Sequence, residues 1–449
     1  MFYGIQVNQF STIVAPYTDK FNYSTAEVVT TNSTLVVGFY VGGLICSSIF
    51  SKINNRKAVF MTMFFNAVLF NFIFSISENI VLSYISRFIV GVVMGFINPF
   101  YGTPYFESTP HKYKNFLSIV AITGAAIGQM IILLLMYLVM PTNNPFLVNK
   151  MMIHLSWVQF IIFVIYCLFY QENPYNLIRE GREKKAFKII QDDIIQYRNI
   201  KLTKEFKERM VWEAKNQITA YDLKQKGRIL DYYNSDVGSI KTESTEKVHS
   251  ISQGMHWFDG NHAFLSFCNL SLLFCSWYIY FGITSTPNIF KGLVIPKHSD
   301  EVVIQQIIVN GPGCILPIII ALFTLNNNLR MKWSSFIGFI LMATSFILCI
   351  VNRENIILWV TLGNCFNTML ISVVYRFLSM SWDLRIRDHS VEYTFLGGKV
   401  AIIATMVVSY ILSIVSINDN FYIYLGITIF EGIIMLVYPE NSLFENEKF

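Results

Sequence analysis

Trp157-Val-Gln-Phe-Ile-Ile-Phe-Val-Ile-Tyr-Cys-Leu-Phe-Tyr170 runs apolar up to Gln171-Glu-Asn-Pro174-Tyr-Asn-Leu177, and from there the chain turns charged. From Met152 to Tyr170 no Asp, Glu, Lys or Arg interrupts the block, whereas Arg179, Glu180, Arg182, Glu183, Lys184 and Lys185 crowd together just after it. A helix of about 20 apolar residues crosses the hydrocarbon core of a bilayer. Pro174 cannot continue such a helix in regular form. The block therefore reads as a membrane span that leaves the bilayer at Gln171. Upstream of it lie α1 (Phe2–Tyr17), α2 (Val28–Phe50), α3 (Ala58–Ser77), α4 (Ile80–Tyr105) and α5 (Leu117–Met140), with the block itself as α6 (Met152–Tyr170). After the polar stretch Gln171–Gly260 come α7 (Ala263–Ile283), α8 (Val302–Phe323), α9 (Ser334–Val351), α10 (Ile356–Trp382), α11 (Thr394–Val415) and α12 (Phe421–Val437). Six spans, a long polar loop and six more predict an all-α membrane protein of twelve transmembrane helices in two halves. The divisions are 1–178 and 261–449 for the halves and 179–260 for the central loop.

Composition agrees. The 449 residues are 53% hydrophobic and only 14% charged, against roughly a quarter charged in a soluble chain. Most of the surface must face something other than water. The net charge of +5 belongs to cytoplasmic loops. No basic run is interleaved with aromatics as a nucleic-acid groove requires, so nucleic acid is excluded as a partner. With both termini cytoplasmic, inside loops carry Lys52, Arg56, Lys57, Lys112, Lys114, Arg330, Lys332, Arg385 and Arg387; outside loops hold Lys20, Lys150, Lys291, Lys297 and Arg353. Met1–Phe21 contains Gln6, Asn8 and Gln9 and has no basic flank, so it reads as a span and not as a cleaved leader. Asn22-Tyr-Ser24 sits too close to the membrane to be a good glycosylation acceptor. In the central loop, Ala186, Ile189, Ile190, Ile194 and Ile195 recur at helical spacing, which predicts amphipathic helices between Lys184 and Tyr221, then a flexible linker over Ser235–Gln253.

Neither catalysis nor metal binding has a constellation here. There is no nucleophile elbow, phosphate loop or metal-ligand spacing, and His262 and His298 stand at helix ends. The seven cysteines all lie in apolar stretches and read as buried core residues. The chain is expected to be no enzyme and to need no cofactor.

Three stretches carry a resemblance. Gln171-Glu-Asn-Pro174-Tyr-Asn-Leu177, with Gly181-Arg182 and Lys185-Ala186, keeps the spacing of a Pro-Glu-Ser-Pro-Arg-Trp-Leu…Gly-Arg…Glu-Ala signature. Arg87-Phe-Ile-Val-Gly91-Val-Val-Met-Gly95, continued by Glu107-Ser-Thr-Pro110 and Lys114, follows an Arg-Phe-x-x-Gly-x-x-x-Gly…Glu-x-x-Pro-x-x-x-Arg pattern. Gly38-Phe-Tyr-Val-Gly42, with Ser51-Lys52-Ile-Asn54-Asn55-Arg56-Lys57, follows a Gly…Asp-Arg-x-Gly-Arg-Arg loop, with Ser51 where the Asp belongs and Asn54 where the Gly belongs. Pro439-Glu440-Asn441 is similar to the Pro-Glu-Thr that closes the last span. Together these resemble the major facilitator superfamily, in its branch of sugar porters and organic ion transporters. The resemblance implies a major facilitator fold and transport by alternating access. It also implies a cytoplasmic latch, whose residues here would be Lys52, Arg56, Arg87, Glu107, Glu172 and Arg387. Glycines four apart, Gly38/Gly42, Gly91/Gly95 and Gly124/Gly128, allow close backbone packing in lipid.

Charges at membrane depth cost at least ~2.5–3.5 kcal/mol and mark function. They are Arg87, Arg376, Lys399 and Glu431. Lys399 follows Gly397-Gly398, a small patch that leaves room around an ammonium group. In organic ion transporters a charge near this place in α11 faces the central cavity, which here implies an anionic solute; a structural pair with Glu392 or Glu431 is the competing reading. The family's first-span acid is replaced by Gln6, and Glu431 lies in a span that usually supports the bundle, so the reading leans away from proton symport. The polar lining expected is Asn98, Gln129, Asn269, Asn310, Asn364 and Asn367, with Trp277, Tyr278, Tyr280 and Trp382. Gly311-Pro312-Gly313 with Pro317 should break α8. Gln305-Gln306 falls at the start of α8, not in the seventh span where sugar porters carry such a pair, which tilts the reading from hexose toward an organic ion.

The resulting expectation is a multi-pass protein of the plasma membrane or an internal membrane. It moves a small organic solute, an organic ion and on the sign of Lys399 an anion. The alternatives are a hexose facilitator of the same fold and a transport-silent structural or sensing subunit. Its partners are the solute and the lipid bilayer, with the coupling ion open.

Overall fold

The computed structural model describes residues 25–49, 56–77, 79–108, 114–139, 145–169, 177, 182–189, 261–284, 299–324, 328–381, 394–395, 397–405, 407–408 and 419–439. Every regular element among them is helical: α2 spans Thr25–Ile49, α3 Arg56–Ile76, α4 Ile80–Ser108, α5 Lys114–Val139, α6 Pro145–Phe169, α7 Asn261–Thr284, α9 Asn328–Val351, α10 Ile356–Ser381 and α12 Asp419–Val437. α1 lies outside the described residues, and α11 is seen as helical residues within 394–408. Eight described helices are long and apolar enough to cross a membrane. Shorter apolar stretches, Ser33–Cys46 and Thr123–Leu138, mark α2 and α5. Several helices start earlier than hydropathy predicts, α6 at Pro145 and α9 at Asn328. A helix pairs its own backbone groups, so it gains by continuing into the interface beyond the apolar core.

Burial separates inner from outer helices. In α10, 72% of the span is buried, and in α7, 67%; in α6 the share is 28% and in α3 and α9 39%. The outer helices turn large apolar side chains such as Leu168 and Val351 outward, as a lipid-facing surface requires. Polar side chains stitch the outer layer. Asn71 of α3 donates to Ser156 Oγ (3.1 Å) and Gln159 Oε1 (2.9 Å) of α6, beside Ser75. At the corresponding pair in the second half, Lys332 of α9 donates to the carbonyls of Tyr438 (3.0 Å) and Leu436 (3.5 Å) at the end of α12, where the helix dipole favours a cation.

α2 and α4 meet through their glycines. A Cβ on Gly38 would overlap the Phe88 carbonyl, one on Gly42 that of Val92, one on Gly91 that of Leu35, and one on Gly95 that of Phe39. The two motifs are thus one reciprocal surface of backbone against backbone.

α8 is broken as its sequence demands. It runs as α-helix over Ser299–Asn310, tightens to a 3-10 turn at Pro312–Cys314, and resumes over Leu316–Thr324. Pro312 has no N–H to give, and Pro317 sits in the first turn of the second piece, where proline is tolerated. The turn closes with Cys314 N–H to Gly311 O (3.0 Å) and Ile315 N–H to Pro312 O (3.0 Å).

Of the central loop, 183–189 is helical with Ala186 buried; the rest of Lys184–Tyr221 beyond 189 and all of Ser235–Gln253 lie outside the described residues. Among the cysteines, Cys46, Cys268, Cys275, Cys349 and Cys365 are buried and Cys167 and Cys314 half-buried, all as free thiols.

Candidate functional site

Lys399 is 2% exposed and borders a small cavity between the halves. Phe39 of α2, Trp277 of α7, Tyr375 of α10, and Phe395, Gly398 and Ile402 of α11 complete the lining among the described residues. The ammonium lies 4.5 Å from the Phe39 ring centroid, a cation–π contact that joins α11 to a helix of the first half. The glycines before Lys399 seat α11 against α7. A Cβ on Gly397 would overlap Leu270 Cδ1, and one on Gly398 would stand 3.3 Å from Leu273 and 3.4 Å from Trp277. The cavity wall is aromatic. Tyr375 packs on Phe395 at 4.9 Å, and Trp277 stacks on Phe281 at 5.2 Å. The volume, about 10 Å³, is roughly that of one water molecule. Small-molecule pockets take ~300 Å³ or more, so the space beside Lys399 among the described residues is too small for a sugar-sized solute.

A second cross-half contact lies at Tyr280, whose hydroxyl donates to Gln129 Oε1 of α5 at 2.7 Å. Asn310 and Asn364 form a third polar cluster. Asn364 Nδ2 donates to Asn310 Oδ1 (2.9 Å) and to the Val309 carbonyl (3.2 Å), while Asn310 Nδ2 donates to Gln306 O (2.8 Å). The two Asn364 bonds join α10 to the broken α8, and the Asn310 bond to Gln306 stays within α8. Gln305 and Gln306 are both buried beside them.

The remaining expected residues are dispersed. Tyr278 faces α12, its ring 6.3 Å from that of Tyr424. Asn367 donates to the Ser276 carbonyl on α7 at 3.2 Å and is 0% exposed. Asn269 accepts from the Tyr438 hydroxyl at 2.8 Å. Arg87 is fully buried with its guanidinium 5.3 Å from the Phe74 ring of α3. It lies twenty residues before Glu107 on the same helix, a separation of about 30 Å at the helical rise. Lys52, Glu172, Arg387, Trp382 and Glu392 lie outside the described residues, as do the side chains of Asn98, Glu107 and Arg56.

Sequence reasoning passed over Phe39, Tyr375 and Phe395, because aromatics are common in every span and their facing depends on helix rotation. It also passed over Ser276, whose hydroxyl donates to Glu431 Oε1 at 2.6 Å. A hydroxyl in an apolar stretch level with a buried acid was the signal available.

The family profile described as sugar (and other) transporter matches residues 2–235. No curated protein sequence matches the chain significantly. Among solved structures, the chain is similar to the major facilitator proton:xylose symporter XylE bound to 6-bromo-6-deoxy-D-glucose, with TM-score 0.70, 14% identity, and coverage of 98% of this chain and 93% of that one. It is also similar to XylE of E. coli in a partially occluded inward-open conformation (TM-score 0.65, 13% identity, 97% and 94% covered). The inward-open conformation of E. coli XylE gives a TM-score of 0.64 at 14% identity, with 99% and 96% covered. At such identity the likeness carries the fold alone. Fold and profile agree: the chain is a multi-pass membrane protein of the major facilitator superfamily and belongs to its sugar (and other) transporter family.

Proposed function

We propose that the chain carries a sugar, or a solute of similar size rich in hydroxyl groups, by alternating access between halves formed by residues 1–178 and 261–449. The family match over residues 2–235 carries this reading. The XylE structure to which the chain is similar is that of a proton:xylose symporter holding a halogenated glucose. The buried chemistry supports it. Gln129, Tyr280, Asn310 and Asn364 are uncharged, each able to donate and accept; the Tyr280–Gln129 bond crosses the halves that a rocking motion would separate, and Asn364 bonds Asn310 within the second half. Sugar hydroxyls replace such bonds one for one, which keeps polar groups satisfied on both sides of the exchange. The solute would sit at mid-membrane between the halves, as in facilitators generally.

Lys399 favours a second reading, in which the solute is an organic anion. A buried ammonium at a cavity is a costly feature to keep, and a carboxylate is its natural partner.

Counterflow in proteoliposomes against pentoses, hexoses, organic anions and organic cations separates the two. The first reading expects sugar exchange that falls in Asn364→Ala and Gln129→Ala and survives Lys399→Ala. Anion exchange abolished by Lys399→Ala would establish the second. No exchange of any solute would leave the fold as a structural or sensing subunit.

A further inference from the structure

Glu431 sits in the middle of α12 and is 0% exposed. Its Oε1 accepts the Ser276 hydroxyl at 2.6 Å, and its Oε2 has no hydrogen-bond partner among the described residues. α12 packs against α7 and α9. From α7 the titratable neighbour is Cys275, next to Ser276. From α9 the charged group is Lys332, held by the carbonyls of Tyr438 and Leu436 more than one turn beyond Glu431. On α12 itself, Tyr424 turns its ring toward Phe346 and Tyr278. From α10, Asn367 approaches as a neutral amide and grips the Ser276 carbonyl at 3.2 Å.

An ionised carboxylate at this depth would have one hydrogen bond and no cation paired with it among the described residues. That arrangement is strongly unfavourable, whereas a neutral carboxylic acid is tolerated. Ser276 also immediately precedes Trp277, which lines the Lys399 cavity. The acid thus shares a residue-to-residue link with the cavity wall and with α10.

We propose that Glu431 is a proton-binding site that couples proton movement to the transport cycle. Buried beside Ser276, it carries its proton. When the halves rock and water reaches α7 from one side, Oε2 releases the proton there, and it regains one from the other side, so each cycle moves a proton with no further co-reactant. The charge left by release disfavours reclosing around a dry Ser276, which ties the step to the position of α7. This inference rests on the transport reading above, and its test keeps the two apart.

The full chain and Glu431→Gln, whose amide oxygen still accepts from Ser276, are reconstituted in proteoliposomes. Xylose and glucose are offered under counterflow and under an imposed pH gradient. The expected result is that the wild type accumulates sugar down the proton gradient. Glu431→Gln should lose that accumulation and retain counterflow. Equal gradient-driven accumulation by both proteins would overturn the proposal, as would accumulation that follows a sodium gradient and ignores pH. Infrared difference spectroscopy supplies a readout independent of solute. A protonated-carboxyl band at neutral pH that disappears in Glu431→Gln supports the proposal, and its absence from the wild type overturns it. If no solute moves in either protein, the transport reading fails, and the infrared band alone then decides whether Glu431 holds a proton.

Discussion

The second and fourth helices of the two halves are built by opposite means. In the first half, α2 and α4 touch backbone to backbone along Gly38, Gly42, Gly91 and Gly95. In the second, α8 and α10 are joined by amides, Asn364 to Asn310 and to the Val309 carbonyl, and α8 is interrupted at Pro312–Cys314. The glycine contact has no side chain to move. It admits one geometry, and dispersion over the whole surface holds it. The amide contact consists of donors and acceptors that another polar group can replace, at a helix whose ladder is already open. Rigidity therefore lies on the α2–α4 side, and the means of exchanging partners lies on the α8–α10 side.

The largest expected effect comes from breaking the rigid side. Gly91→Leu drives a branched side chain into the Leu35 carbonyl, and overpacking typically costs about 1–3 kcal/mol and more when backbone must move. A sharp loss of monodisperse protein and of thermal stability in detergent is the expected outcome. A stable Gly91→Leu protein would show that α2 and α4 are free to separate. Next comes Asn364→Leu, which strands the Asn310 and Val309 acceptors at an expected cost of about 1–3 kcal/mol. Its melting temperature should fall by less than that of Gly91→Leu, while counterflow falls further than stability does. Equal losses in both would assign the amides to packing alone. Tyr280→Phe removes the bond to Gln129 across the halves. Hydrogen bonds between membrane helices average ~0.6 kcal/mol, so melting should barely change. Accessibility of a cysteine placed in the cleft to a water-soluble thiol reagent should rise, because the closed state loses one tie. Unchanged accessibility would mean that this contact does not help hold the halves together.

The same contrast explains why the sugar and anion readings coexist. The amide clusters are neutral and exchangeable, which suits hydroxyls, while Lys399 brings a charge to the cavity edge within 4.5 Å of the Phe39 ring centroid. The family match weighs toward the first. The structure supplies a reason why Lys399 can be kept without an anionic solute, since an aromatic face already stabilises it.

Sequence alone determined the membrane class, the order of spans, the break in α8 and the glycine motifs. Each depends on local chemistry: the length of an apolar run, the missing N–H of Pro312, the missing Cβ of Gly42 or Gly91. It also singled out Lys399, Gln129, Asn310 and Asn364, because polar groups in an apolar helix must face something. What each faces depends on the rotation of that helix and on its neighbours, and only tertiary structure decides that. Asn367 and Tyr278 look like lining residues by composition, and only the structure shows that Asn367 bonds the Ser276 carbonyl and that the Tyr278 ring lies beside that of Tyr424. Glu431 looks like a support residue by position and reaches the wall of α7. Partners 91 to 155 residues apart leave no periodicity to read, and the energy of a buried hydrogen bond appears only once both groups have left water together.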